Sequence, residues 1–171
     1  NGSYFLEKFS SGGAYQWSTG LNGIEPLDVA VDSSGACYVA GYNSSVYFSD
    51  GYLNKYTSGG VLLWSKHWGG TGKETANGLA LDGSDNCYVT GLTSSSGWTS
   101  GGWDTSLNGG TDGYVVKFNS EGVLLWSSYF GGTGSDDSYG IAVDPTGEFI
   151  WVTGLTYSSG TMLNGWQTAY G

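Results

Sequence analysis

His67 is the single histidine of the 171-residue chain. An imidazole can serve as a general base only beside a nucleophile and an orienting carboxylate. His67 sits in Trp64-Ser65-Lys66-His67-Trp68, and no Gly-x-Ser-x-Gly elbow occurs anywhere. No catalytic residue is assigned, and the chain is expected not to be an enzyme. Asp136 and Asp137 follow a Gly-Gly-Thr-Gly run and are weak calcium candidates. A calcium loop would space its acids as Asp-x-Asp-x-Asp-Gly, which is missing, so a solvated turn is expected there. Cys37 and Cys87 lack the His and Cys neighbours of a zinc site and read as buried thiols. No metal and no cofactor is expected. Asn43 and Asn1 each open an Asn-x-Ser sequon and are glycosylation candidates. Trp98 lies among Ser, Thr and Gly and is the candidate for stacking on a glycan.

The elements that would hold these residues are repeated. Phe5-Leu6-Glu7-Lys8-Phe9 aligns with Tyr52-Leu53-Asn54-Lys55-Tyr56 and Tyr114-Val115-Val116-Lys117-Phe118. The three lysines are 47 and 62 residues apart, and each is followed by a Trp-Ser: Trp17, Trp64 and Trp126. Next come Val29-Ala30-Val31-Asp32, Leu79-Ala80-Leu81-Asp82 and Ile141-Ala142-Val143-Asp144. Last come Cys37-Tyr38-Val39-Ala40-Gly41, Cys87-Tyr88-Val89-Thr90-Gly91 and Ile150-Trp151-Val152-Thr153-Gly154. The whole of 1–171 reads as one domain with repeats at about 1–49, 50–111 and 112–171.

Each repeat holds four short segments rich in Val, Tyr, Phe and Trp, parted by turns such as Asp144-Pro145-Thr146-Gly147. That composition and punctuation specify antiparallel strands. No segment carries a 3.6-residue apolar period. Four strands per repeat predict an all-β fold of β-propeller blades, with Trp17, Trp64 and Trp126 as the repeated core. Asp32, Asp82 and Asp144 are expected to cap turns. Trp103 and Trp166 each lie 12 residues after a repeat glycine and are expected to plug a blade edge.

The run Asp112-Gly113-Tyr114-Val115-Val116-Lys117-Phe118, then Leu124-Leu125-Trp126, Gly131-Gly132-Thr133-Gly134, Gly140-Ile141-Ala142-Val143-Asp144 and Val152-Thr153-Gly154 resembles the SBBP β-propeller repeat of secreted and cell-surface proteins. The resemblance extends over nearly the whole chain, and Asn22-Gly23-Ile24-Glu25-Pro26 departs from it. It implies a propeller and an exported location, and it implies no catalytic residues.

Composition narrows the partners. The chain has five lysines, no arginine and 15 acids, for a net charge of −10. Such a surface repels phosphate, which argues against nucleic acid and anionic membranes. No apolar run approaches the ~18 residues of a membrane-spanning helix. Aromatics make up 16% of the residues, which argues against disorder. The chain begins at Asn1 and is read as a mature product or as part of a longer one. Low charge with abundant Ser, Thr, Gly and Tyr points to an extracellular or cell-surface setting.

Three repeats are too few for a ring, since propellers have about 4–8 blades. The expected arrangement is two outer strands at about 4–20, whole blades at about 27–68 and 79–130, and two inner strands at about 141–154. A second copy of the chain or flanking repeats of a longer one would complete it. The expected role is an extracellular structural or interaction module, such as a unit of a surface filament or matrix. A glycan-binding propeller is the alternative.

Overall fold

The computed structural model describes residues 3–43 and 49–159. The strands are β1 (Phe5–Phe9), β2 (Tyr15–Gly20), β3 (Ile24–Val31), β4 (Cys37–Asn43), β5 (Gly51–Tyr56), β6 (Leu62–Trp68), β7 (Glu74–Leu81), β8 (Cys87–Thr93), β9 (Asp112–Phe118), β10 (Leu124–Phe130), β11 (Asp136–Val143) and β12 (Ile150–Thr156). No helix occurs among the described residues. Two complete four-stranded sheets form, β3-β4-β5-β6 and β7-β8-β9-β10, each an antiparallel meander. β1 and β2 make a separate pair, and β11 and β12 another. The fold is therefore all-β with blades of the propeller type. The complete blades and the half-blades fall where the repeats place them.

Strands β3, β7 and β11 are the inner strands. β7 packs on β3 and β4 on one side and on β11 on the other, and β11 also packs on β8. Each inner strand breaks register with its neighbour at one place: Pro26/Asp28, Ala76/Gly78 and Ser138/Gly140. An extra residue there turns a carbonyl into the adjacent strand. That is why the second strand carries a glycine two residues before its end in each repeat. A Cβ on Gly41 would stand 2.0 Å from the Glu25 carbonyl oxygen, one on Gly91 1.7 Å from that of Thr75, and one on Gly154 2.1 Å from that of Asp137.

The core lies between the two complete blades. Tyr38, Leu53, Ala76, Val89, Tyr114, Val116 and Tyr129 are buried there with Trp68. A hydroxyl relay joins β8 to the third inner strand: Thr90 Oγ1 donates to the Tyr114 carbonyl and lies 2.7 Å from Ser138 Oγ. Pairing these polar groups removes the cost of burying them.

The repeat tryptophans are half-buried, and Trp17 and Trp64 are each wedged against the next blade. Trp17 covers Gly60 and donates from Nε1 to the Ser58 carbonyl at 3.0 Å. Trp64 covers Gly122 and meets Tyr38 edge-on at 5.7 Å. Both glycines close the outer hairpin of the following blade with positive φ, +82° and +77°. Trp126 meets Tyr88 and Trp103 at 6.3 and 5.5 Å.

Candidate interaction site

The repeated lysine, aromatic and aspartate come together in each complete blade. Strand β4 places Tyr38 opposite Lys55 of β5, and β8 places Tyr88 opposite Lys117 of β9. The Lys55 ammonium stands 4.7 Å over the Tyr38 ring, and that of Lys117 4.6 Å over Tyr88. The same ammoniums reach the turn aspartates: Lys55 Nζ is 2.9 Å from Asp32 Oδ2, and Lys117 Nζ is 3.8 Å from Asp82 Oδ2. A cation held between a ring face and a carboxylate, away from water, ties the third strand to the first turn of its blade.

The carboxylates do two jobs. Asp32 Oδ1 accepts from the Ser34 and Ala36 amides at 3.0 and 2.9 Å, and Asp82 Oδ1 from Ser84 and Asn86 at 2.9 and 3.0 Å. Burial pushes the Asp32 carboxyl up, but bonds from Ser34, Lys55 and the Ala36 amide outweigh it and hold the group below the usual carboxylate range. Asp82 is likewise lowered against burial, by Asn86, Ser84 and Tyr88. Asp144 caps its turn through the Thr146 side chain and the Phe149 amide. Replacing Lys55 by methionine keeps the stem over Tyr38 and strands the Asp32 charge. Urea unfolding should show a loss of about 3 kcal/mol; no change would mean that the ammonium is structurally idle.

At the two ends the trio is split. Lys8 is exposed, and among the described residues its ammonium meets the Ser58 carbonyl at 3.0 Å, with no carboxylate. Trp151 takes the place of Tyr38 and Tyr88 but is 57% exposed, where both tyrosines are 0%. Val29 on β3 is 55% exposed, whereas its counterpart Leu79 on β7 is 6%. A slot of about 230 Å³ opens between β1 and β3, lined by Leu6, Leu21, Leu27, Val29 and Val39 among others.

The remaining candidates are placed as follows. His67 lies exposed on β6, stacked on Tyr52 at 5.5 Å, and no group of three metal-ligating side chains occurs among the described residues. Asp136 and Asp137 do not form a solvated turn: they begin β11. Asp136 is buried, and its oxygens take the Gly132 amide at 2.7 Å and the Thr156 and Ser158 hydroxyls. Glu74 does the same for the preceding loop, accepting from Gly70 and Thr93. These acids are loop anchors, because β11 and β7 start earlier than their apolar residues suggest. Cys37 and Cys87 are buried free thiols, and burial pushes Cys37 up to about 11.

Trp98 corrects the expectation of a loop surface. It packs half-buried on the core, edge-on to Tyr114 at 5.2 Å and Tyr129 at 5.5 Å, and donates from Nε1 to Thr93 Oγ1. It is not an open sugar platform. Trp98→Ala should cost about 3 kcal/mol in urea unfolding, no less than Trp126→Ala; a cost under half that of Trp126→Ala would return Trp98 to the surface. Asn43 ends β4, while Asn1, Trp166 and residues 44 and 45 of the Asn43 sequon lie outside the described residues.

What sequence reading missed is the joint role of lysine, ring and aspartate. All three recur at fixed places, and that co-recurrence is the signal that would have found it.

No curated protein matches the chain. Residues 125–160 match the family model SBBP, the beta-propeller repeat. The matched stretch runs from the last strand of one sheet into the first two strands of the next, so the sequence unit is out of phase with the sheets. Within this all-β structure, the family likeness is carried by residues 125–160, which are similar to the SBBP beta-propeller repeat.

Proposed function

We propose that this chain is an extracellular structural and interaction module, a propeller unit that joins protein of its own kind through its open blades. One observation carries the reading: among the described residues, β1 and β2 pair without inner strands, and β11 and β12 pair without outer strands. Apolar residues whose counterparts are buried in the second blade, Val29 on β3 of the first complete blade and Trp151 on the β11–β12 half-blade, are exposed. Patches of that kind on a folded protein are sites of association. The absence of arginine and the net charge of −10 support a location outside the cell. Protease added to intact producing cells should remove the chain; protection until lysis would overturn the location.

A second reading is glycan binding. A cavity of about 480 Å³ between β2 and the β5–β6 face is lined by Asn22, Asn43, Tyr52, Asn54 and Tyr56 among others. Amides and tyrosines around a volume of that size suit a mono- or disaccharide. A glycan array probed with the intact chain separates the readings. No saturable binding is expected, and binding abolished by Tyr52→Ala would transfer the conclusion to a lectin.

A further inference from the structure

The split trio says what covers the open ends. In blade one, Lys55 of β5 is seated by Tyr38 of β4, Asp32 after β3 and, from the next blade, the Ser120 carbonyl at 3.2 Å. In blade two, Lys117 has Tyr88 and Asp82. On β1, Lys8 has the next-blade carbonyl, Ser58, but neither ring nor acid of its own blade. On β12 and in the turn after β11, the matching ring and acid, Trp151 and Asp144, stand without a lysine among the described residues. The two ends hold complementary parts of one site.

Resting on the reading of the chain as a self-joining module, we propose that two copies close on each other. The β11–β12 pair of one copy enters the slot between β1 and β3 of the other, and β12 pairs with β1. Lys8 then lies over Trp151 of the second copy and pairs with its Asp144.

The register follows from the complete blades. β4 pairs with β5 as Tyr38↔Lys55 and Gly41↔Tyr52, and β8 with β9 as Tyr88↔Lys117 and Gly91↔Tyr114. The same offsets set Trp151 opposite Lys8 and Gly154 opposite Phe5. Leu27, Val29 and Val31, exposed on β3, meet the incoming β11 as β3 meets β7 inside the chain. At the same junction Trp126 gains the hairpin glycine it lacks. Trp17 covers Gly60 and Trp64 covers Gly122, while Gly13, the equivalent glycine of the β1–β2 hairpin, has nothing within 4 Å of where its Cβ would be. Lys117 gains the Ser11 carbonyl, the counterpart of Ser58 and Ser120. An edge strand with unpaired amides offers the backbone bonds, and the side chains set the register. Two copies joined in this way supply six blades, inside the range of closed rings.

Sedimentation of the intact chain, at tens of micromolar, should give twice the 17.9 kDa mass. Lys8→Glu faces the second copy's Asp144, and Trp151→Lys faces its Lys8; both positions are exposed, so each variant should be a folded monomer by circular dichroism. Mixed together, the two should form a one-to-one dimer, because each junction then joins opposite charges or the native pair. A wild-type monomer, a ladder of open assemblies, or variants that dimerise alone as well as wild type would overturn the proposal. Dimers indifferent to both substitutions would remove this interface and leave self-association standing, whereas the glycan array alone tests the module against the lectin.

Discussion

Gly91→Ala is expected to destabilise the second blade severely. The added methyl carbon would sit 1.7 Å from the Thr75 carbonyl oxygen and 2.8 Å from its carbon, both main-chain atoms. A flexible side chain could swing aside; a carbonyl fixed by the β7 bulge cannot. The Tyr114 hydroxyl, 3.0 Å from the same point, closes the other direction. Overpacking commonly costs 1–3 kcal/mol, and an unyielding neighbour places this change at or above about 3 kcal/mol. For a chain of this size the melting temperature should fall by about 10 °C. Gly59→Ala is the control: its nearest atom is Thr57 Oγ1 at 3.8 Å, and its effect should stay within about 0.5 kcal/mol. Gly154→Ala meets the same clash but on the open half-blade, so its effect on the complete blades should be smaller. A Gly91→Ala protein as stable as Gly59→Ala would mean that β7 does not bulge at Ala76/Gly78.

These glycines show how far the sequence reaches. Gly41, Gly91 and Gly154 recur in plain view, each two residues inside the end of its strand. Their cause does not show, because a bulge is a property of pairing between strands far apart in the chain. Asp32 and Asp82 follow the same pattern. Their turns are local, so capping is legible; their ion pairs with Lys55 and Lys117 depend on sheet order and are not. Trp98 was misplaced for another reason. It sits in a stretch after β8 whose third-repeat counterpart, aligned on Trp103 and Trp166, has Thr161 at that place, so no repeat supports an assignment. Its Ser- and Gly-rich surroundings resemble any exposed loop. Nothing local reports that the loop folds back over Tyr114 and Tyr129. Asp136 was misplaced because a strand beginning with two acids has no apolar alternation to announce it. The phase of the blades, by contrast, was legible, since turn residues and strand composition repeat three times over.

Tyr114→Ala should be the costliest side-chain truncation in the molecule. Tyr114 is fully buried on β9, edge-on to Trp68 at 6.1 Å and to Trp98 at 5.2 Å. Its hydroxyl donates to the Thr75 carbonyl at 2.8 Å, the same oxygen that crowds Gly91. Burial pushes the phenol's pKa far upward, so the group stays a neutral donor across the accessible pH range. Removing the ring leaves a cavity bounded by two indoles that cannot collapse into it, and leaves a buried carbonyl short of a donor. The combined loss is about 4–5 kcal/mol. Tyr114→Phe separates the contributions: it keeps the ring and should cost about 1–2 kcal/mol. Urea unfolding followed by tryptophan emission reads both, and the alanine variant should shift the native emission to the red as Trp68 and Trp98 meet water. Because Trp98 and Tyr114 share the cavity, the double alanine variant should lose less than the sum of the two single losses. Strict additivity would mean that the loop tryptophan and the strand tyrosine do not touch, and the packing of the 92–111 stretch against the blade would have to be redrawn.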